Sequence, residues 1–426
     1  MLDIKFIREN KDLIKMGAAK KHLSFDVETL LAVDDKRRAL LATVEEKRAK
    51  QNEVGQKIPT ATPDERNMLV AEMTTLKEIL QKEEEELRAI MLEWRDLMLQ
   101  VPNLPDMSVP EGKDDSENVE VRTWGTISQF AFEPKSHIDL MTALDLADFE
   151  RGTKVAGFRG YILKNEGALL QQAVLSFALN HMVKKGFTPM SVPSLVRKET
   201  LMGTGYLPQG EDDLYKTQDE DYLAGTGEVS TMSYYSDEIL DKAQLPIKFI
   251  AYSPCFRREA GSHGKQTKGL YRVHEFFKLE QVVLCEASHA ESVKLHEELT
   301  QNAEEILQAL NLPYHVVVNC GGDLGLGQVK KYDIEAWIPS EKRYGETHSS
   351  SYFHDFQTRR LNIRYNDTDG KRRLVHSLNN TAVAVPRILI QIIENNQQAD
   401  GSIIIPEVLR PYIGGIEKIS PKIKNA

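Results

Sequence analysis

Two long stretches near the N-terminus carry apolar residues at alternating spacings of three and four, which is the pattern of a coiled-coil seam. The first seam has three polar members and runs through Leu30, Val33, Arg37, Leu40, Val44, Lys47, Gln51, Val54 and Ile58. The second keeps the same alternation through Leu69, Met73, Leu76, Leu80, Glu83, Leu87, Ile90, Trp94, Leu97 and Val101. Each seam predicts a long helix that packs against a partner helix.

The break between the two seams predicts a turn within one helical hairpin. Prolines interrupt the helical pattern between positions 59 and 63, and Thr62 and Glu65 then match a capping box at the start of the second helix. Pro102 ends that helix, so the hairpin spans about 26–102. Helices of this length reach roughly 50 Å and must project into solvent. The pattern leaves open whether the hairpin is a dimerisation element or a binding arm, and the four glutamates at 83–86 are expected to form a solvated face.

The remainder of the chain mixes helical and strand patterns after a linker rich in Pro, Gly and Asp at 109–115. Strand-like stretches occupy 246–252, 271–284 and 314–319, without an ordered βαβ alternation. The prediction is therefore an α+β catalytic domain with an antiparallel sheet at 108–426, preceded by an N-terminal domain at 1–107. A glycine-rich stretch at 321–327 lacks the GxGxxG spacing of a dinucleotide loop.

Composition excludes several classes of protein. The 426 residues are 41% hydrophobic and 28% charged, which is typical of globular proteins. The chain has no apolar run of ~18 residues and no secretory or transit signal at its start, so we expect a cytoplasmic protein without a membrane span. Its three cysteines are far apart, which predicts buried thiols and no zinc. The formal net charge of −10 means that any RNA contact uses local basic patches.

The segment that is richest in chemistry lies between Cys255 and Glu280. Both flanks are predicted as strands of one hairpin, with a loop of about ten residues between them. Alternation then gives one strand face an unusual set of side chains, namely Arg272, His274, Phe276, Lys278 and Glu280, with Arg257 and Glu259 sharing a face on the first strand. This face is either solvent-exposed surface or a ligand platform, where a ring stacks on a base and arginines hold phosphates.

Two further segments place charged residues at unusual positions. Arg387 falls in the first turn of a predicted helix, where a cation opposes the helix dipole. Either the side chain extends into water, or a bound anion reverses the sign of the interaction. The segment Glu346-Thr-His-Ser349 offers a carboxylate and a hydroxyl, which are hard ligands for Mg²⁺ beside phosphates, although a plain surface loop has the same composition.

Phe256-Arg-Arg-Glu259 together with Arg272-Val-His-Glu-Phe276 resembles motif 2 of class II aminoacyl-tRNA synthetases. The FRxEAG and RxHxFxKxE patterns are similar to those of seryl-tRNA synthetases. The stretch from 378 to Arg387 resembles motif 3, and 187–193 resembles motif 1. The resemblance extends over essentially the whole chain. Two departures are Gly227, where the family more often has Ala, and Pro386, where Gly is common.

The resemblance implies activation of serine by ATP with Mg²⁺, followed by transfer to serine tRNA, and leaves open whether selenocysteine tRNA is charged as well. It implies a homodimer whose arm binds the long variable stem of a tRNA held on the partner subunit. The arm residues expected to contact tRNA are basic: Lys36, Arg37, Arg38, Lys47, Arg48 and Lys50.

The resemblance also assigns roles within the catalytic domain, with Arg257 and Arg387 as the catalytic residues. Arg257 would contact the α-phosphate and Arg387 the γ-phosphate, while Phe276 stacks on adenine. The residues assigned to ATP are Arg257, Arg258, Glu259, Arg272, Val273, Phe276, Glu346, Thr347, His348, Ser349 and Arg387, of which Glu346 and Ser349 would also hold Mg²⁺. The residues assigned to serine are Thr226, Gly227, Glu228, Glu280 and Thr381.

Two rival functions fit parts of the sequence. A synthetase-like ligase could load an amino acid onto a carrier protein, but such relatives lack the long hairpin. A coiled-coil scaffold with an inactive synthetase body is the other rival, and intact Arg257, Glu280 and Arg387 argue against it.

Overall fold

The computed structural model describes residues 2–260 and 269–421, so the predicted loop at 261–268 lies outside the described residues. The chain divides into two compact units. Unit 1 comprises Met1–Ala19 and Leu23–Pro102, and unit 2 comprises Lys20–His22 and Asn103–Ala426. In the described part of the chain, none of the helices combines the length and the apolar character needed to span a bilayer.

Unit 1 is helical and contains the predicted hairpin. Its helices are α1 (Ile4–Glu9), α2 (Lys11–Lys20), α3 (Val27–Lys57) and α4 (Pro63–Gln100), and a 3₁₀ turn at Ile58–Thr60 follows α3. The predicted capping box is confirmed, because Glu65 accepts hydrogen bonds from the Thr62 backbone N–H at 3.0 Å and from its hydroxyl at 2.7 Å. Pro63 occupies the first helical position of α4, where its missing N–H leaves no helical hydrogen bond unmade. Helix α4 returns along α3.

Apolar and polar seam residues both meet across the hairpin. Val44, Leu80 and Leu87 form a buried cluster between α3 and α4. The two basic seam residues also have partners on the opposite helix. Lys47 pairs with Glu83, and the Arg37 guanidinium lies 4.6 Å from the centroid of the Trp94 ring. Such polar pairs specify the register of a coiled coil, whereas uniform apolar positions allow it to slip.

The expectation of a fully solvated glutamate run at 83–86 was wrong. Glu83 pairs with Lys47, and Glu84 accepts a hydrogen bond from Arg48 Nε at 2.8 Å. Only Glu85 and Glu86 of the run are exposed. The run lies opposite basic residues of α3, so its first half bridges the two helices.

Unit 2 is built on an eight-stranded main sheet, and further short strands form smaller sheets. All the strands of unit 2, in chain order, are β1 (Val119–Trp124), β2 (Ala147–Asp148), β3 (Ile162–Leu163), β4 (Thr188–Ser191), β5 (Leu195–Val196), β6 (Tyr215–Lys216), β7 (Tyr222–Leu223), β8 (Ile239–Asp241), β9 (Ile247–Phe256), β10 (Glu275–Cys285), β11 (Tyr314–Val318), β12 (Lys330–Ile338), β13 (Arg343–His354), β14 (Arg364–Asn366), β15 (Arg372–Leu374), β16 (His376–Ala384), β17 (Ile403–Ile404) and β18 (Lys418–Ile419). The main sheet has the order β1-β11-β12-β13-β16-β10-β9-β4. Every pairing in it is antiparallel except the edge pair β4–β9, which confirms the predicted antiparallel α+β class.

The helices of unit 2 are α5 (His137–Ala143), α6 (Phe149–Ala156), α7 (Glu166–Lys184), α8 (Lys198–Thr204), α9 (Glu228–Met232), α10 (His289–Ala309), α11 (Phe356–Arg360) and α12 (Val385–Asn395). Helices α7, α10 and α12 bury apolar side chains with the sheet in one large core. The three cysteines are free and buried, as predicted, and burial raises the pKa of the Cys285 thiol to about 12.

Strand β10 separates this core from a second environment, because its side chains alternate between the two faces of the sheet. Leu279 and Val283 belong to the large core. Phe276 and Glu280 point to the opposite face, where they line a cleft, and Val282 continues that face into a smaller apolar cluster. The sheet therefore carries its core on one face and its polar cleft on the other.

Truncating a seam residue tests the hairpin. Leu80 is 5% exposed and Leu92 on the same helix is 59% exposed, so Leu92→Ala is the matched control. We expect Leu80→Ala to lower the free energy of unfolding of the hairpin by about 2–4 kcal/mol, since it leaves a cavity. Hydrogen–deuterium exchange of α3 and α4 in the full chain should accelerate for Leu80→Ala alone. Equal acceleration by Leu92→Ala would contradict the seam.

Candidate active site

One cleft on the polar face of the sheet, with a volume of about 390 Å³, gathers most of the predicted site residues. This volume is within the range of small-molecule sites. The predicted residues that line it come from several separate segments of the chain: Thr226, Glu228, Arg257, Glu259, Val273, Phe276, Glu280, Glu346, Thr347, Ser349, Thr381 and Arg387. Four predicted residues, Gly227, Arg258, Arg272 and His348, do not line it.

The central hairpin differs from its predicted form. Strand β9 ends at Phe256 and β10 begins at Glu275, so Arg257, Glu259 and Arg272 lie in the connection rather than on strands. The prediction of strands extending into these residues was wrong. Alternation holds only within β10, where it directs Phe276, Lys278 and Glu280 into the cleft.

An aromatic ring and a guanidinium face each other at one end of the cleft. The Arg257 guanidinium carbon lies 5.4 Å from the centroid of the Phe276 ring, and Arg257 Nε donates to the Gly225 carbonyl at 3.2 Å. Glu259 stands beside them with a positive φ of 54° and accepts a hydrogen bond from Arg272 at 2.9 Å. A flat ring with a cation above it is suited to a planar, negatively charged ligand.

Two buried carboxylates lie at another part of the cleft. Glu280 is 2% exposed and pairs with Lys278, while Glu228 is 4% exposed. Glu228 accepts hydrogen bonds from the Tyr206 hydroxyl at 2.9 Å and from Gln357 at 2.6 Å. Burial raises the pKa of both carboxyl groups, although Lys278 opposes the rise at Glu280 and the two donors oppose it at Glu228. A ligand ammonium would relieve this penalty, because an opposite charge favours the ionised carboxylates.

Arg387 lies in the first turn of α12, as predicted, but its side chain is only 17% exposed. The alternative in which the Arg387 side chain extends into water is therefore wrong. Its Nη1 donates to the Glu346 carbonyl at 3.0 Å and lies 3.1 Å from the Glu346 carboxylate, and its guanidinium carbon is 4.7 Å from the Tyr271 ring centroid. Burial alone raises the pKa of Glu346, but Arg387 and Lys331 reverse this, and the net pKa is lowered. The pair keeps both charges in the cleft wall.

A bulge in β13 explains which of residues 346–349 face the cleft. Ile334 pairs with His348 and Glu335 pairs with Glu346, so Thr347 is the extra residue. A bulge re-aims side chains locally, and here both Glu346 and Thr347 reach the cleft, followed by Ser349. His348 points away into the interior, where its Nε2 lies 3.1 Å from the Ala382 carbonyl.

The donors available to a magnesium ion are few. Within residues 2–260 and 269–421 there is no group of three His, Cys, Asp or Glu residues that could hold a metal. Glu346 and Ser349 both line the cleft and supply hard oxygen atoms. Such a sparse set fits Mg²⁺ only when phosphate oxygens and water complete its coordination.

Three other predicted residues lie outside the cleft for identifiable reasons. Arg258 is exposed. Arg272 is turned toward Glu259 and lines a neighbouring groove. Gly227 packs against strand β9, where a Cβ would lie 3.1 Å from Ser253 Oγ.

Several residues of the site were missed from the sequence. Tyr206 and Gln357 hold Glu228 from segments far away in the chain, and no local pattern marked them. Lys278 was placed on the correct face without a role. The segment 325–328 also lines the cleft, and the unusual density of glycine around it was the available signal.

A buried histidine supports the cleft wall at residues 270–271. His137 Nε2 accepts a hydrogen bond from the Leu270 backbone N–H at 3.3 Å, which leaves the proton on Nδ1 to be donated to Glu394 at 2.9 Å. Gly269 passes so close that a Cβ would lie 2.3 Å from His137 Nε2. Burial raises the pKa of the Glu394 carboxyl, but hydrogen bonds from His137 and Ser340 outweigh burial and lower the pKa overall.

Comparison with known proteins agrees with this architecture. The family described as "tRNA synthetase class II core domain (G, H, P, S and T)" matches residues 213–396, and "Seryl-tRNA synthetase N-terminal domain" matches residues 1–105. Serine–tRNA ligase of Deinococcus radiodurans is 46% identical over 425 residues, with 100% of each chain covered. The enzyme of the same name from Thermodesulfovibrio yellowstonii is 45% identical and covers 97% of this chain and 99% of its own.

Solved structures give the same result. Seryl-tRNA synthetase from Pyrococcus horikoshii, complexed with ATP, superposes with a TM-score of 0.89 at 38% identity over 99% of this chain and 100% of that one. The cytoplasmic enzyme from Naegleria fowleri, complexed with AMP, gives a TM-score of 0.85 at 31% identity, with 99% of both chains covered.

The antiparallel sheet with its arginine-lined cleft defines unit 2 as the catalytic core of a class II aminoacyl-tRNA synthetase, a nucleotide-dependent enzyme. With the full-length matches and the N-terminal helical domain, the chain belongs to the seryl-tRNA synthetase family.

The hydrogen bonds that Glu394 accepts beside His137 and Leu270 predict that the stability of the fold depends on pH. Glu394→Gln places an amide N–H₂ against the Ser340 backbone N–H, which donates to Glu394 at 3.1 Å. We expect a loss of about 1–3 kcal/mol in unfolding free energy at neutral pH. Because the folded-state pKa of Glu394 is lowered, the carboxylate stabilises the fold fully above its unfolded pKa and loses this effect as pH falls through the folded pKa.

The gap between wild type and Glu394→Gln should therefore narrow in urea unfolding at acid pH. The exposed Glu407→Gln is the control and should leave stability unchanged. A gap that stays constant across the acid range would contradict the assigned hydrogen bonds.

Proposed function

We propose that this protein is a cytoplasmic serine–tRNA ligase that uses ATP. The serine carboxylate attacks the α-phosphorus of ATP, pyrophosphate leaves, and the seryl group then passes from AMP to a terminal ribose hydroxyl of serine tRNA. The observation that carries this proposal is one cleft that holds a stacking ring and two arginines together with two buried carboxylates. These groups match the two halves of a seryl adenylate.

The nucleotide would lie against Phe276, with Arg257 on the α-phosphate and Arg387 on the γ-phosphate. Glu259 would accept a hydrogen bond from the adenine amino group, and the Val273 backbone would contact the nucleotide. The hydrogen bond at 2.9 Å from Arg272 orients the Glu259 carboxylate, so Arg272 would act through Glu259. Thr347 would complete the phosphate side of the cleft. Arg258 and His348 have no direct contact in this arrangement, because neither lines the cleft.

Glu346 and Ser349 would hold Mg²⁺ together with the phosphates. When bound, the ion neutralises phosphate charge. Glu346 lies 3.1 Å from Arg387, so the proposed Mg²⁺ ligand and the proposed γ-phosphate contact are neighbours in the cleft wall. Catalysis then consists of positioning and charge stabilisation by Arg257 and Arg387, and it requires no covalent enzyme intermediate.

Serine would lie at the carboxylate end, with Glu280 and Glu228 near its ammonium and hydroxyl. Thr381 on β16 and Thr226 before α9 line the same region of the cleft. Alanine would leave buried polar groups without a partner, and sites that hydrogen-bond a substrate hydroxyl reject its analogue by roughly 10⁴-fold.

The N-terminal domain at 1–107 would bind tRNA through its hairpin. RNA duplexes are recognised by shape and backbone, which suits a helical arm with basic residues. Four of the six predicted basic residues are engaged within the hairpin: Arg37 with Asp34, Lys47 with Glu83, Arg48 with Glu84 and Lys50 with Glu72. Lys36 and Arg38 are exposed and form no ion pair within the described part of the chain, so they are the best candidates for phosphate contacts.

A homodimer is part of the proposal. Four large apolar side chains within residues 155–169 are exposed on the catalytic domain at 108–426: Val155, Phe158, Ile162 and Leu169. An exposed apolar group of this kind is typical of an interaction surface. We propose that a second copy of the chain covers it, and light scattering on the full chain measures whether the protein has the mass of a dimer.

Amino acid-dependent ATP–pyrophosphate exchange tests the reaction. We expect exchange with serine and none with the other standard amino acids. Arg257→Ala should lower the rate by about 10²-fold or more, since it removes charge stabilisation at the α-phosphate. The exposed Arg372→Ala is the matched control and should be fully active. Exchange with another amino acid, or none at all, would favour a different ligase or an inactive scaffold.

The arm is tested by charge reversal in the full chain. Lys36→Glu with Arg38→Glu should raise the KM for tRNA by about tenfold through loss of phosphate contacts, while leaving ATP–pyrophosphate exchange unchanged. Reversing the exposed pair Lys371 and Arg372 in unit 2 is the control. If a variant that lacks residues 26–102 still aminoacylates tRNA normally, the proposal that the arm binds tRNA is wrong.

A further inference from the structure

A buried lysine holds part of the cleft wall and has no acidic partner among residues 2–260 and 269–421. Lys21 is 2% exposed, and its ammonium donates to the carbonyls of Gly325 at 3.0 Å, Leu326 at 3.0 Å and Gln328 at 2.6 Å. These three acceptors use all three N–H groups of the side chain. Burial lowers the pKa of Lys21 to about 7, so the residue occupies a costly position that its acceptors compensate.

Asn103 holds the same segment from a second point in the chain. Its Nδ2 donates to the Gly327 carbonyl at 2.9 Å and to the Phe353 carbonyl at 2.8 Å. Its backbone N–H donates to the Leu326 carbonyl at 2.9 Å. Lys21 and Asn103 together therefore engage all four consecutive carbonyls of residues 325–328.

This segment is in contact with the proposed serine end of the cleft. Residues 325–328 line the cleft directly. Gly327 lies so close to the Phe356 ring that a Cβ would come within 2.6 Å of it. The next residue, Gln357, donates to the Glu228 carboxylate at 2.6 Å. A displacement of the segment would thus pass through Phe356 to the donor that orients Glu228.

Lys21 and Asn103 also occupy special positions in the chain. Residues 20–22 belong to unit 2, although they lie in sequence between the two parts of unit 1. Asn103 is the first residue after unit 1 ends. Both residues therefore lie where the chain passes from one unit to the other.

We propose that Lys21 and Asn103 are positioning residues for the serine end of the cleft: they hold the segment 325–328, which in turn sets Gln357 and Glu228. This inference rests on the proposed function. It assigns specificity-supporting roles to two residues that lie outside the cleft and touch neither substrate nor nucleotide.

The test compares KM values for serine and ATP in pyrophosphate exchange, using Lys21→Met and Asn103→Ala in the full chain. Lys113→Met is the matched control, because Lys113 is an exposed lysine of unit 2. We expect both test variants to raise the KM for serine by about tenfold, since small misplacements near a reacting centre have effects of this size or larger. The KM for ATP should change less than twofold, and the control should match wild type. The assays use conditions under which circular dichroism shows that the variants are folded.

The outcomes separate this inference from the proposed function. Failure of wild type to exchange with serine would count against the proposed function itself. Normal wild-type exchange, with KM values for serine and ATP that rise together or not at all, would overturn the positioning role. If Lys21→Met does not fold, Asn103→Ala carries the same expectation. Failure of both variants to fold would make the two residues purely structural and would also overturn the inference.

Discussion

The structure of the cleft depends on charged side chains that are withdrawn from water on one face of a sheet. A buried ion needs an opposite charge or hydrogen bonds, and the cleft supplies an ion pair to Glu280 through Lys278 and to Arg387 through the half-exposed Glu346. These pairs keep the charges in place when no ligand is bound. Under the proposed function, a ligand ammonium would meet Glu280 and a phosphate would meet Arg387, and both side chains already line the cleft.

Patterns local in sequence predicted much of this arrangement. Strand alternation directed Phe276 and Glu280 to one face, and helix position placed Arg387 in a first turn, because both depend on a few neighbouring residues. Features set by distant segments were not predictable. The bulge at Thr347 arises from pairing with β12 and reverses the orientation of His348, and Tyr206 reaches Glu228 from a separate segment. The ends of β9 and β10 were also misplaced, because alternation in sequence does not show that the regular pairing of the two strands stops at Phe256 and Glu275.

The helical hairpin shows how departures from a pattern carry information. Arg37 and Lys47 interrupt an apolar seam, and they are the residues whose partners, Trp94 and Glu83, specify the register. A polar seam position therefore indicates a particular partner across the hairpin. The consequence for function is restrictive, since a cation engaged with a carboxylate is less available to phosphate. If the hairpin binds tRNA as proposed, the number of basic residues along α3 overstates how many of them are available to phosphate.

Close packing within unit 2 explains Gly321 and Gly327, two glycines of the stretch at 321–327. A Cβ at Gly321 would lie 2.1 Å from the Lys20 carbonyl, and one at Gly327 would lie 2.6 Å from the Phe356 ring. No side chain larger than hydrogen fits at either point without displacement of its neighbour. The stretch resembles a phosphate loop only in composition. The carbonyls of residues 325–328 accept hydrogen bonds from Lys21 and Asn103. The stretch is therefore part of a cleft wall that these two residues hold in place.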